Sequence, residues 1–251
     1  MKTSLTEARR LLQKAEDVLV ITGAGISAES GVPTFRGAGE KWRNRHFTEL
    51  ANPKAFEADP KFIWDWYLYR RSIVAACEPN AAHRALAAWQ MRGAHRSIVT
   101  QNVDGLHERV GSEVVRMHGS LWRNTCLACF EDREDYSLSF EAADGLPRSP
   151  CHHSLERPAI VWFGEMIPKE ASVSAQHLAA MADVIITIGT SGLVDTANRL
   201  IKTARDLREL QPAPSPRSLI VIDINLEETE VQATHRLLGP AGSIVPELLS
   251  P

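Results

Sequence analysis

Short apolar, β-branched runs punctuate this chain: Val18–Thr22 (VLVIT), Ser97–Thr100, Val114–Met117, Val184–Ile188 and Leu219–Asp223. Runs this short and this rich in Val and Ile read as buried strands. Helical spacing takes over between several of them. Ser4 and Glu7 make a capping box for an amphipathic helix within Met1–Asp17, with Leu5, Ala8, Leu12 and Ala15 on one face. A second helix is predicted from Pro60 to about Ala76, and a third from Pro79 to about Arg92, closed by Gly93. Strands alternating with helices predict an α/β fold, a Rossmann-like parallel sheet with helices on both faces.

Two segments break the alternation. Trp42 to Arg92 carries no clear strand, and its first part, to Pro60, is loop-like with short helical pieces. Arg123 to Arg157 is polar and holds Cys126, Cys129 and Cys151. Both read as inserts that build a smaller second lobe, the first helical and the second zinc-ribbon-like. The expected organisation is one domain over residues 1–251. Its large lobe spans approximately 1–40, 93–120 and 160–251, and its small lobe a helical insert (41–92) and a metal-binding insert (121–158). Gln211 to Pro216 is predicted to be a surface loop before the last strand.

Composition narrows this picture only a little. A net charge of −3 gives no reason to expect nucleic acid or an anionic membrane as partner. No apolar run reaches the roughly 18 residues of a membrane span. The charged amphipathic start does not read as a signal peptide. Four cysteines without a secretion signal suggest a reducing compartment and a metal role rather than disulfides. A cytoplasmic monomer is expected.

Candidate chemistry sits at the predicted strand ends. After Thr22 come Gly23-Ala24-Gly25 and then Ala28, a G-x-G-x-x-A spacing that opens a helix. Such a turn suits a dinucleotide pyrophosphate, although a tight strand-to-helix turn without ligand has the same spacing. The acidic residue that hydride-transferring enzymes place about 20 residues on is missing, for Lys41 to His46 is basic. Instead Gly31-Val32-Pro33 cuts the helix short. Phe35 and Arg36 then stand on a glycine-flanked loop that reads as a movable cover. Gln101, Asn102 and Asp104 follow a strand and point toward the same crevice, or form an ordinary polar loop. His118 stands at a strand end beside Gly119, and an imidazole with an ordinary pKa of about 6.5 suits a general base. Gly189-Thr190-Ser191 and Asn225-Leu226-Glu227 also end strands.

Cys126-x-x-Cys129 is half of a zinc site. Cys151 with His152 or His153 would complete four ligands, and we take His153 as the fourth; a decayed, metal-free site is the alternative. Tyr67 and Arg70 are three apart on a predicted helix and share a face. They form either a packing stripe with a solvated Arg or a bidentate grip for a carboxylate.

The run from Val18 to Gly37, VLVITGAGISAESGVPTFRG, resembles the signature of the sirtuin family, the NAD-dependent protein deacylases. Matches continue in the expected order from about Ala15 to Gly242. The resemblance implies that Gly23, Ala24, Gly25, Ala28, Phe35, Arg36, Gln101, Asn102 and Asp104 hold NAD. It implies phosphate contacts at Gly189, Thr190 and Ser191, adenosine-ribose contacts at Asn225, Leu226 and Glu227, and an adenine contact at Ala241. It makes His118 the catalytic base, with Asn102 beside it. Arg157-Pro158-Ala159-Ile160-Val161-Trp162-Phe163-Gly164-Glu165 resembles the segment that pairs as an added strand with a substrate peptide. Val161, Phe163 and Gly164 would make those contacts. Tyr67 and Arg70 resemble the Tyr-x-x-Arg of class III sirtuins, which prefer succinyl, malonyl or glutaryl lysines; Phe47 stands near the same channel. The cysteines depart from the family, which usually supplies a second close pair.

The expected activity is removal of acyl groups from protein lysines, giving nicotinamide and O-acyl-ADP-ribose, with NAD as co-substrate and a structural zinc. Rival readings are a mono-ADP-ribosyltransferase using the same NAD site, a hydride-transferring oxidoreductase and a non-catalytic NAD-binding module.

Overall fold

The computed structural model describes residues 4–33, 41–93, 95–210 and 218–250. The chain begins with α1 (Leu5–Leu12), β1 (Val18–Thr22) and the short α2 (Gly25–Ala28). A two-stranded hairpin follows, β2 (Lys41–Trp42) and β3 (Arg45–His46), then α3 (Phe47–Leu50), α4 (Pro53–Ala58), α5 (Pro60–Ala75) and α6 (Ala81–Gln90). Next come β4 (Arg96–Thr100), α7 (Leu106–Arg109), β5 (Val115–Arg116), β6 (Gly119–Cys126), β7 (Asp132–Glu134) and β8 (Glu156–Ile160). The last third holds α8 (Lys169–Met181), β9 (Val184–Ile188), α9 (Thr196–Glu209), β10 (Ile220–Asn225), β11 (His235–Leu238) and α10 (Ala241–Leu249).

The five strands read from sequence, joined by β11, form a parallel sheet in the order β11-β10-β9-β1-β4-β5. All residues of β1 and β9 are buried, as both faces of such a sheet are covered. Successive side chains serve opposite faces. Val18, Val20, Val184, Ile186, Ile222 and Ile224 pack with α1, α6 and α10. Leu19, Ile21, Ile185 and Val221 pack with α8 and α9. Thr22 lies opposite both Thr100 and Ile188, so the loops after β1, β4 and β9 leave one edge together. Order runs outward from β1 through β4 to β5 and, the other way, from β9 to β11. The reversal between β1 and β9 is a switch point, where open α/β sheets bind ligands.

Helix starts follow their caps. Asp59 accepts from the Phe62 N–H at 2.9 Å ahead of Pro60, and Asn80 caps α6 through the Ala82 and His83 N–H groups. The first helix is shorter than its amphipathic stretch and ends at Leu12. Trp89 and Leu86 of α6 lie in the core of the large sheet.

The segment after His118 forms an antiparallel sheet, β7-β6-β8, with the cysteines at its end, in keeping with a zinc-ribbon-like insert. It packs on α5 through Trp64, Tyr67, Leu121, Ile160 and Trp162. Under that apolar layer lies a buried charge network. Arg71 donates to the carbonyls of Leu121 (2.7 Å) and Ser137 (3.0 Å) and to Asn124 Oδ1 (2.8 Å). Asn124 in turn donates to Asp135 and Glu156, and Arg133 grips Glu156 with two nitrogens. Burial pulls the Arg71 guanidinium down to about 10, against the pull of Asp135.

Candidate active site

The crevice begins where two glycine loops interlock. Gly23 N–H donates to Ile188 O at 3.0 Å and Gly25 N–H to Gly189 O at 2.8 Å. A Cβ on Gly25 would stand 2.6 Å from Gly189 Cα, and Gly189 itself has φ +63°. These glycines therefore let one loop lie on the other. Two amides expected to hold phosphates are already donating within the protein.

Beyond them a cavity opens, lined on one side by Ala24, Ser27, Gln101, Asn102, Asp104 and His118. Asn102 Nδ2 donates to Gly23 O (3.1 Å) and Ser27 Oγ (3.2 Å), and its own N–H donates to Thr100 Oγ1 (3.1 Å). Ser27 donates to Asp104 Oδ2 at 2.8 Å, and the Leu106 N–H to Oδ1 at 2.9 Å. Burial pushes the Asp104 carboxyl up, and these donors hold it back. Gln101 Nε2 donates to Thr190 Oγ1 at 3.2 Å. Gln101 Oε1 is buried without a partner among the described residues, an acceptor left for the N–H of a bound molecule. A carboxamide or ribose hydroxyls fit this donor and acceptor set, so the residues present suit NAD.

His118 Nδ1 lies 3.0 Å from Gln101 O. A carbonyl only accepts, so Nδ1 carries a hydrogen, and in the neutral ring Nε2 is then the basic nitrogen. That is the tautomer a general base needs. Gly119, with φ +81°, is required for a different reason than access: a Cβ there would collide with the Ala159 carbonyl as β6 meets β8.

The far wall is aromatic. Phe47, Trp66, Tyr67, Arg70, Val161 and Phe163 line it. The Arg70 guanidinium lies 5.0 Å from the Trp66 ring centre and 5.3 Å from that of Tyr67. Burial raises the Tyr67 phenol, which keeps its proton despite Arg70. Trp162 Nε1 donates to Tyr67 Oη at 2.7 Å. On the rim, the Val161 N–H donates to His118 O and the Phe163 N–H to Ala51 O, both at 3.0 Å. A strand added here must use other groups of this segment. Gly164, at φ +89°, has open space where a Cβ would stand.

The remaining expected contacts sit elsewhere. Thr190, Ser191, Asn225, Leu226 and Glu227 continue the strand-end edge past the glycine loops, and Asn225 Nδ2 donates to Thr190 O at 2.9 Å. Ala241 is buried at the start of α10, whose Gly242 N–H donates to Glu29 Oε1. Ala28 is exposed and does not line the cavity; Ser27, one residue earlier, does. Phe35 and Arg36 lie outside the described residues. Ser27 and Trp162 were missed from sequence. Ser27 stood inside a quoted motif, and Trp162 stood between two residues assigned to the rim.

At the other end of β6, Cys126, Cys129, Cys151 and His152 offer ligand atoms all within 4.8 Å of one another. This corrects the fourth ligand from His153 to His152. The turn puts His153 at φ +50° with its N–H donating to Ser149 O, and His152 is the residue that joins the thiols. Cys129 and Cys151 sulfurs are 3.8 Å apart and Cys126 Sγ is 3.9 Å from His152 Nδ1. A tetrahedral zinc with bonds of about 2.3 Å to sulfur needs sulfurs about 3.8 Å apart. Ser149, first, and the neighbouring Ala128 and Cys129 amides pull the Cys126 thiol down to about 6, toward the thiolate a metal takes. The donor set fits zinc in a structural role, because four protein ligands leave no open position.

A parallel sheet with a switch-point crevice, an imidazole oriented by a backbone carbonyl and a Cys₃His knot define a nucleotide-using enzyme with a structural metal site. The Sir2 family model matches residues 23–196. The chain is 41% identical to NAD-dependent protein deacylase 1 of Pseudomonas aeruginosa, covering 95% of each chain. It is 40% identical to the NAD-dependent protein deacylase of Thermococcus kodakarensis, over 98% of this chain and 94% of that one. A solved Sir2 homolog–NAD complex superposes with a TM-score of 0.88 at 37% identity, covering 99% of this chain and 93% of the other. The chain belongs to the Sir2 family, the sirtuins.

Proposed function

We propose that the protein is an NAD-dependent protein-lysine deacylase with a preference for acyl groups ending in a carboxylate. One observation carries this reading: a single cavity joins His118, Asn102 and Asp104 at one end to Tyr67 and Arg70 at the other. NAD, when bound, supplies an activated ribose that accepts the acyl group. Gln101 offers its free Oε1 to the carboxamide of the co-substrate. Asn102, held by Gly23 and Ser27, orients the ribose hydroxyls. His118 Nε2 takes a proton from one of them. Tyr67 and Arg70 hold the outer carboxylate of a succinyl or malonyl lysine, and the Val161–Gly164 rim holds the peptide. The metal knot fixes the end of β6 opposite His118. In this reading α6 belongs with the large lobe, and the enzyme works as a cytoplasmic monomer on lysines of other proteins.

The test is turnover of one lysine peptide, succinylated or acetylated, with NAD, beside Arg70→Met. Faster removal of succinyl, lost selectively in the variant, supports the reading. Faster removal of acetyl with Arg70→Met unchanged makes Tyr67 and Arg70 packing residues. Transfer of the ADP-ribose of NAD to protein, without release of the acyl group, would favour the transferase.

A further inference from the structure

Tyr67 is buried and lines the cavity's far wall, and in the proposed function its hydroxyl meets the carboxylate of the acyl group. A phenol has one proton to give, and its direction decides whether it serves as donor or acceptor. The Trp162 indole N–H points at Tyr67 Oη from 2.7 Å, with ring centres 6.4 Å apart. An indole nitrogen only donates, so Tyr67 accepts here and its own proton must go elsewhere.

Trp162 is itself clamped. Its backbone N–H donates to Glu165 Oε2 at 2.7 Å. Arg157 grips Glu165 with both terminal nitrogens, at 2.6 and 2.9 Å. The same guanidinium lies 3.6 Å from the centre of the Trp162 ring, and Phe56 closes another side at 5.4 Å. Glu165 sits below its ordinary value: burial would raise it, but Arg157 and the Trp162 N–H outweigh that. The ring is 2% exposed and has little freedom to turn.

We propose that Trp162 is a positioning residue for acyl selection: its N–H fills the acceptor side of Tyr67 and turns the phenol's proton toward the carboxylate of the acyl group. The inference rests on the reading of Tyr67 and Arg70 as a carboxylate grip. Trp162 touches no substrate in this scheme and acts only through Tyr67.

The test is a double-mutant cycle read as the ratio of desuccinylation to deacetylation kcat/KM on one peptide. Trp162→Phe keeps an aromatic ring and removes the N–H. It should lower the ratio about tenfold, the scale of one weakened hydrogen bond to a charged group, mainly through KM for the succinyl peptide. Tyr67→Phe should lower the ratio at least as far, and the double variant no further than Tyr67→Phe alone. Equal losses on both peptides, or effects that multiply in the double variant, would overturn the proposal. Should Trp162→Phe unfold, β-(3-benzothienyl)alanine at position 162 keeps the bicyclic shape without the N–H and gives the same readout. If Tyr67→Phe and Arg70→Met leave the ratio unmoved, the carboxylate grip itself fails. If they move it and the Trp162 variants do not, only the positioning role fails.

Discussion

The two cores that meet at the cleft are held by different physics. Around β1 and β9 the interior is mainly aliphatic, layered on both faces of the sheet by residues two apart, with one buried carboxylate, Asp223, that accepts from Thr187 and pairs with Arg236. Around β6 the interior carries Arg71, Asn124, Asp135 and Glu156, all buried, with a Cys₃His knot at its end. Apolar burial is non-directional and tolerates small errors of shape. A buried charge network does not: each member removed leaves another uncompensated. In the proposed function, the aliphatic sheet would serve as a stable platform for the nucleotide, and the charge network beside β6 would fix the placement of α5 with Tyr67 and Arg70.

The strongest way to break this contrast is to remove the metal. A structural zinc contributes on the order of 10 kcal/mol to a small metal-dependent fold. Chelation should abolish hydrogen-exchange protection in β6–β8 while β1 and β9 stay protected; equal loss in both would make the lobes one cooperative unit. Next comes Arg71→Met, which removes a buried cation from beside Asp135 and the donor to Asn124 Oδ1, and should cost about 4 kcal/mol. Its urea midpoint reads the loss, and a near-neutral result would mean the network relaxes like an apolar core. Ile186→Ala, in the sheet, should cost about 3 kcal/mol through a cavity.

Acid should find the large lobe first. Burial holds His83 down to about 3 and His107 to about 4, so both are neutral when folded. The unfolded chain binds those protons near pH 6.5, so their stabilisation is complete above that pH and drains away as pH falls toward 3–4. Each should give up about 2 kcal/mol between pH 7 and pH 5. Asp135 lies below its ordinary 3.8, and its contribution persists to lower pH. A urea midpoint flat from pH 7 to 5 would refute the assignment. The smallest effect belongs to the surface: Arg199→Ala, breaking an exposed pair with Asp195 on α9, should change stability by less than about 0.5 kcal/mol.

The same contrast explains what could be read in advance. VLVIT and VIITI announce buried strands because apolar burial leaves a periodic trace in sequence. β7 is Asp132–Glu134, polar throughout, and is a strand only because β6 lies beside it. β11 starts His235-Arg236 and was equally silent. The strand-end residues Gln101, Asn102, Asp104 and His118 were legible because motif order follows sheet order, and the structure gathers them in one cavity. Adjacent His152 and His153 differ only by a turn's handedness, which spacing does not carry. Trp162 and Tyr67 are 95 residues apart, so no local pattern could join an indole to a phenol.

The placement of β1 between β4 and β9 also bears on how this chain comes off the ribosome. Its nearest partner is far downstream: Thr22 bonds to Thr100, 78 residues later. At about 5–20 residues per second, a finished β1 waits on the order of 4–16 seconds for that partner to be made. During this interval VLVIT is an unpaired, sticky segment of the kind that seeds aggregates. Lys14, Glu16 and Asp17 stand immediately before it, charges well placed to discourage one nascent chain from zipping onto another.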